Sequence, residues 1–406
     1  MGQAFEVVIV GGGAAGITMA AIFNKRNKKM KVAIVDPSEL HYYQPALTLV
    51  GAGVQSLKAN TRYQANIIPR LSTWVKDAVT GFDPENNEVL LASGDKLGYQ
   101  YLIICAGLKC DWESVEGLKE ALGSHNVCSN YKPDVAPYTW ECLKNARAED
   151  GPAVFTQAPM PIKCPGAPQK IAYLAAHHFK KKRRNISVVF RTATPGIFGV
   201  PYYAKELKEV ISDWGIDFTP QSNLIKVDGP NKLATFADAE GETTEVKFGM
   251  LHVVPSQVAP KFISESALSD DAGWLDVDKN TLQSTKYPNI FGLGDCANSP
   301  NSKTAAAIRK QAPVVADNLL AVKHNDEVNA SYDGYASCPL TTSYGKVILA
   351  EFRYGGQVTP SLPLSPKVSR RSYWYVKTIG LAVLYWDFML KGFEWDVPHN
   401  IDFEED

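Results

Sequence analysis

Two stretches of the chain hold residues whose types and spacing are suited to chemistry. In "FEVVIVGGGAAGITMAAIF" an apolar run, Phe5–Val10, leads into Gly11-x-Gly13-x-x-Gly16 and then a helical pattern, Ile17–Phe23. Gly11 permits a tight turn and Gly13 lets a pyrophosphate approach the backbone. Gly16 lets helix and strand pack closely, while Ala14 and Ala15 open the helix whose N-terminus faces the phosphates. "KVAIVD" then reads as a second strand ending in Asp36, about 20 residues beyond Gly16, where a carboxylate can bond a ribose hydroxyl. The other stretch is "PIKCPGAPQK", which places Cys164 between a lysine and a proline on a turn just ahead of a helix. A thiolate there is stabilised by the helix dipole and by Lys163. A small buried apolar residue is the plainer reading. Cys338, in "YDGYASCPLTTSYGKVILAEF", is likewise followed by proline, in a loop before a strand. Taken singly, either thiol reads first as structural.

Two later segments choose the dinucleotide. "YQYLIICAGLK" is a strand followed by Ala106-Gly107, similar to the A-x-G turn that closes the first fold of FAD proteins. "YPNIFGLGDCAN" is a strand ending in Gly294-Asp295, similar to the segment whose Asp bonds the ribityl chain of FAD. "SKTAAAIRKQAPVVADNLLA" follows as a helix. Its first amides, at Lys303, Thr304, Ala305 and Ala306, face charge developing on a reduced flavin. The expected cofactor is FAD.

Between these segments "GPAVFTQAP", "KIAYLAAHHFKKKRR" and "NISVVFRTATP" read as strand, helix and strand, and "AKELKEVISDWGIDF" as the next helix and strand. A nicotinamide-binding fold would carry a second glycine fingerprint at the first of these turns. Here the turn runs from Ala158 to Gly166 and contains Pro159, Pro161 and Pro165. Proline has no amide hydrogen to offer a phosphate, so NADH is not the expected electron source.

The elements define an α/β chain with two tandem Rossmann-like dinucleotide-binding folds, of the disulfide-reductase-like flavoprotein kind, plus a C-terminal membrane-associating segment. The expected division is residues 1–115 and 276–330 for the FAD-binding domain, 116–275 for the second fold with the redox cysteine, and 331–406 for a quinone- and membrane-associating region. In the last of these, "RRSYWYVKTIGLAVLYWDFMLKGFEW" is charge-free only from Thr378 to Trp386, too short to span a bilayer. Trp374, Tyr385, Trp386, Phe388, Phe393 and Trp395, with Arg370, Arg371, Lys377 and Lys391, suit a helix lying at headgroup level. The competing reading is a helix packed on the core or at a dimer contact. Removal of everything from Arg370 is expected to leave the FAD folds intact.

Bulk properties exclude several classes. A net charge of −1 over 406 residues gives no electrostatic footprint for nucleic acid. The run Lys180–Arg184 reads as a solvated helix end. Seven cysteines without a C-x-x-C pair argue against zinc and iron–sulfur sites, and no metal is expected. The glycine fingerprint starts close to Met1, which is expected to leave no room for a signal or transit peptide: the chain is cytoplasmic or an already processed form.

"GGGAAGITMAA", "YQPALTLVGAG", "KCPGAPQKIAYL", "IFGVPYYA", "GDCANSPNSKTAAA" and "YDGYASCPLTTSYGKVILAEF" resemble the sulfide:quinone oxidoreductase family along essentially the whole chain, most of all the branch with the mitochondrial enzyme. The resemblance implies a disulfide or trisulfide between two cysteines beside the flavin, at positions matched by Cys164 and Cys338. Asp36, Gln44, Val79, Asp295 and Lys303–Ala306 match its FAD contacts. It implies sulfide as donor, membrane quinone as acceptor, and glutathione, coenzyme A or sulfite as the small acceptor of sulfane sulfur. The setting it implies is peripheral, on the cytoplasmic face of a bacterial membrane or the matrix face for a processed mitochondrial form. A homo-oligomer stays open. Phe198 in "IFGVPYY" and Phe352 in "EFRYGG" are candidate walls of a quinone site. Cys128 departs from this branch, and packing is the preferred reading for it; nothing aims His177 or His178 at the flavin. The alternatives are an NADH:quinone oxidoreductase-like flavoenzyme, the flavoprotein subunit of a haem-linked sulfide dehydrogenase, and a non-catalytic flavin redox sensor.

Overall fold

A computed structural model describes residues 3–394. The strand Gln3–Val10 is the spine of a seven-stranded sheet, with Val7–Val10 buried as expected for a parallel strand covered on both faces. Val32–Val35 and then Ser72–Val75 pair parallel on one side of it, and Lys96–Ile104 pairs parallel on the other. Lys96–Ile104 forks. Its first part pairs antiparallel with Glu88–Leu91, which carries Val79–Asp83 at the edge, and its last part pairs parallel with Ile290–Gly292. The returning strand therefore rejoins the first fold after the chain has built the second.

The second fold is a five-stranded parallel sheet in the order Val127–Cys128, Met250–His252, Ala153–Gln157, Val188–Thr192, Asp217–Thr219. Helices Ala167–Lys181 and Pro201–Trp214 pack on it. A short ribbon of Lys109–Cys110 against Gln257–Val258 ties together the two chain crossings between the folds.

Two large apolar cores dominate. The first gathers the first sheet, helix Ala14–Arg26, residues Ala259–Val277, the long helix Ala305–His324 and, from the C-terminus, Tyr385, Met389 and Leu390. The second gathers the second sheet and the hairpin of Ala336–Ser343 with Lys346–Phe352, whose Ala336, Cys338 and Leu340 pack with helix Ala167–Lys181. Cys338 thus lies inside a strand, not in the loop expected from the sequence; the strand accepts Pro339 because the hairpin has an open edge.

From Arg371 to Lys391 the chain forms one continuous helical rod with π-helical turns at Val376–Gly380 and Leu384–Phe388. Tyr373, Lys377, Tyr385 and Met389 face inward, while Tyr375 (64% exposed), Ile379 (60%), Val383 and Phe388 face outward. One face of the segment is therefore packed on the core, and the other leaves apolar side chains exposed. Among the described residues no helix is long and apolar enough to cross a membrane. Trp395 lies outside the described residues.

Candidate active site

Parallel register brings the dinucleotide signals to one sheet edge. Val10 and Gly292 both pair with Ile104, so Gly11, Ala106–Gly107 and Gly294–Asp295 leave the sheet side by side. Gly11 has φ +107°, and a Cβ there would stand 2.6 Å from the Cys105 carbonyl oxygen; a Cβ on Gly16 would collide with the Gly11 carbonyl. By contrast, a Cβ on Gly13 or Gly107 would meet nothing within 4 Å, so the edge is open there. Asp36 accepts from the amides of Gly12 (2.6 Å) and Ser38 (2.7 Å). Val79 opens its strand just past Val75, whose carbonyl takes the Asp36 amide at 3.1 Å. Burial raises the Asp295 carboxyl above its usual range, against the pull of Lys303 and Lys163. A glycine edge open at Gly13 and Gly107, with the Asp36 carboxylate at the next strand end, fits FAD.

The long helix starts where the sequence put it. Thr304 is its N-cap and accepts from Ala307 N (3.2 Å), with Ala305 and Ala306 in the first turn. The Lys303 side chain turns away, donating to Ala297 O at 2.7 Å over the Trp274 ring, while its backbone carbonyl accepts from Cys164 N at 3.0 Å. That bond holds the cysteine turn against the helix start. The Lys163 amide is also taken, by Gln257 Oε1 at 2.8 Å, and its Nζ donates to Gln44 Oε1 at 2.8 Å. The Lys163 and Cys164 amides are thus engaged within the protein, and Pro159, Pro161 and Pro165 have no amide hydrogen to offer a pyrophosphate.

Cys164 sits in this turn at φ +48°, a left-handed conformation rare for a residue with a side chain. Its Sγ lies 3.4 Å from Cys338 Sγ although 174 residues separate them. Gly166 allows this approach, since a Cβ there would stand 2.8 Å from Cys338 Sγ. Two buried ammonium groups, neither assigned to the thiol site from the sequence, surround the sulfurs. Lys170, on the first turns of helix Ala167–Lys181, donates to Cys164 Sγ at 3.1 Å. Lys377 reaches in from the C-terminal rod and is only 5% exposed, not at headgroup level as expected. Lys170 had one sequence signal, a lysine within the apolar run "KIAYLAA". Lys377 had none, because a lone lysine in an aromatic-rich segment reads equally as a headgroup contact.

The electrostatics are unequal. The Cys338 S–H and the Lys170 ammonium hold the Cys164 thiol well below its ordinary range. Cys338 is pushed up by the Cys164 thiolate and by burial. Burial opposes the Lys170 charge, but the two sulfurs push its pKa up to about 12. Burial and then Lys170 press Lys377 down to about 7. Cys164 is half-buried and Cys338 buried.

Other candidates lie nearby or elsewhere. Phe198 and Phe352 meet edge-on at 5.8 Å, with Phe198 beside Gly166. Cys128 is buried in the second core near Cys142, its Sγ donating to Leu251 O, and burial raises its pKa. His177 stacks on Trp214 and His178 meets Trp140 edge-on.

A dinucleotide edge facing a cysteine pair across two parallel folds defines a flavoprotein of the disulfide-oxidoreductase class, and residues 5–134 match the pyridine nucleotide-disulphide oxidoreductase family. The chain is 42% identical over 398 residues to the mitochondrial sulfide:quinone oxidoreductase of Mus musculus, spanning 97% of this chain and 88% of the mouse protein. It is 43% identical over 393 residues to that of Dictyostelium discoideum, spanning 95% and 86%. The X-ray structure of the sulfide:quinone oxidoreductase from Aquifex aeolicus shares the fold, with a TM-score of 0.80 over 96% of this chain and 92% of that one at 21% identity. The chain belongs to the sulfide:quinone oxidoreductase family, and its cofactor is FAD.

Proposed function

We propose that this FAD-dependent sulfide:quinone oxidoreductase works through a relay between Cys164 and Cys338. The observation that carries the relay is the 3.4 Å sulfur pair beside Lys170, in a turn whose Lys163 and Cys164 amides are already engaged. In the oxidised pair, hydrosulfide attacks the Cys338 sulfur, because the better leaving group is the thiolate with the lower pKa. A new S–S bond forms to Cys338, the bond to Cys164 breaks, and its electron pair stays on Cys164 as a thiolate held by Lys170. A small acceptor, glutathione or coenzyme A as a thiolate, or sulfite, attacks the outer sulfur of the Cys338 persulfide and leaves Cys338 as a thiolate. Re-forming the Cys164–Cys338 disulfide releases two electrons, for which FAD, when bound, would supply the acceptor on the way to quinone. Gly11, Gly13, Ala14, Ala15, Gly16, Asp36, Gln44, Val79, Ala106, Gly107, Asp295 and the start of the long helix would hold it.

The outward apolar face of the C-terminal rod, Tyr375, Ile379, Val383 and Phe388, supports peripheral contact with the lipid in which quinone dissolves. With the resemblance to the family, the reading is a peripheral enzyme on the cytoplasmic face of a bacterial membrane, or on the matrix face for a processed form. Phe198 and Phe352 are assigned as walls of the quinone site. The proposed division of labour gives residues 1–115 and 276–330 the FAD, 116–275 Cys164, and the region from 331 Cys338 and the lipid face, with Ala259 to Leu275 packing back into the first core.

Donor choice tests the reading. Sulfide bleaches the flavin absorbance within seconds and supports quinone reduction, whereas NADH and NADPH leave the flavin oxidised. Rapid bleaching by either nucleotide overturns it.

A further inference from the structure

The C-terminal rod is joined to the phosphate turn by one buried chain of hydrogen bonds. Tyr385, 4% exposed, meets His41 Nε2 at 2.5 Å, and His41 Nδ1 meets the Gly12 carbonyl oxygen at 3.2 Å. The roles follow from chemistry alone. A carbonyl oxygen only accepts, so Nδ1 carries the proton, Nε2 is the acceptor and the Tyr385 hydroxyl donates. Burial lowers the His41 pKa, consistent with this neutral ring. Gln64 Nε2 donates to the same carbonyl at 2.7 Å, and Asp36 holds the Gly12 amide.

The peptide between Gly12 and Gly13 is planar and trans, so its C=O and N–H point in opposite directions. Whatever fixes the Gly12 carbonyl therefore aims the Gly13 amide, at the residue where the turn is open. Donors on the carbonyl also polarise the peptide and make that N–H a stronger donor. We propose that Tyr385 and His41 are positioning residues for FAD: the C-terminal rod, acting through His41, orients the Gly13 amide that receives the cofactor pyrophosphate. Seating of the rod and binding of FAD are then coupled, and the coupling is reciprocal. Side chains around the link restrain it as well: Tyr43 lies 4.7 Å from the Tyr385 ring and Trp386 5.0 Å, with Arg62 over Trp386.

The test uses the full chain. Tyr385→Phe removes only the hydroxyl and keeps the ring packing, and His41→Phe removes both bonds. FAD affinity is measured by equilibrium titration of the stripped protein. Hydrogen exchange over residues 381–391 is followed with and without FAD. Each single variant is expected to weaken FAD binding about tenfold, and the double variant to be no weaker than the weaker single one, because both break one chain. FAD is expected to slow exchange of the rod in the wild type and much less in Tyr385→Phe. Unchanged FAD affinity in Tyr385→Phe, or equal FAD-induced protection of the rod in both proteins, overturns the proposal. Because Tyr385→Phe leaves the core packed, the result stands even if His41→Phe fails to fold.

Discussion

Lys170 Nζ lies 3.1 Å from Cys164 Sγ, and both belong to the segment that replaces a glycine-rich phosphate turn. Helix Ala167–Lys181 begins just after the cysteine, so its first turns carry the lysine back over the sulfur. The space a nucleotide would need is instead a site that stabilises a thiolate.

A relay of two thiols fails as a unit. Cys164→Ser and Cys338→Ser are each expected to abolish sulfide-dependent quinone reduction while keeping bound FAD, and the double variant to be no worse. Cys128→Ser, buried in the second core, is expected to keep most turnover. Near-wild-type turnover in either relay variant refutes the pairing.

Lys170 sets the reactivity of Cys164 in acid. Since the thiol is held below its ordinary range by Cys338 and Lys170, alkylation of the reduced enzyme by iodoacetamide at Cys164 is expected to stay fast below neutral pH. Lys170→Met removes the nearest cation, and each unit by which the pKa rises lowers the thiolate fraction below that pKa about tenfold. Mass spectrometry of the modified cysteine against pH reads the shift. A flat profile shared by both proteins rules out this role.

Lys377 contributes in the opposite pH direction. Its folded pKa, about 7, lies below the unfolded value, so between the two the folded state binds fewer protons than the unfolded state. Its contribution to stability is full above the unfolded pKa and is lost as pH falls through the folded one. Urea unfolding of Lys377→Met is therefore expected to lack part of the stability that the wild type gains from pH 7 to 10. Equal slopes would place the ammonium in water.

The rod has separable faces. Ile379→Asp with Val383→Asp is expected to abolish co-sedimentation with liposomes while leaving FAD content and melting temperature near wild type. Truncation before Arg370 is expected to do more than the sequence suggests, because it strips Tyr385, Met389 and Leu390 from the first core and Lys377 from the thiol site. Retained fold and FAD in the truncated protein would contradict this.

The dinucleotide edge was legible because its demands are local. A tight turn, a close helix approach and an acid at the next strand end each impose a residue type at a fixed spacing, which Gly11–Gly16 and Asp36 display. The absence of a nicotinamide turn was legible for the same reason, since proline removes a donor in any context. Cys164 and Cys338 could be matched only by their flanking residues; their 3.4 Å approach depends on a hairpin packing against a distant helix and on the small Gly166 between them.

The C-terminal rod shows why local pattern was not enough. Tyr373, Lys377, Tyr385 and Met389 recur at multiples of four residues, but an α-helix advances about 100° per residue, so each step of four overshoots by about 40°. Over that span an ideal α-helix would carry its last inward residue to the far side. The wider π turns at Val376–Gly380 and Leu384–Phe388 absorb the excess and keep all four on one face. The aromatic-rich segment announced a helix and left a lipid face and a packed core as competing readings, whereas the widened turns, which form against the packed body of the protein, selected Lys377 and Tyr385 to point inward.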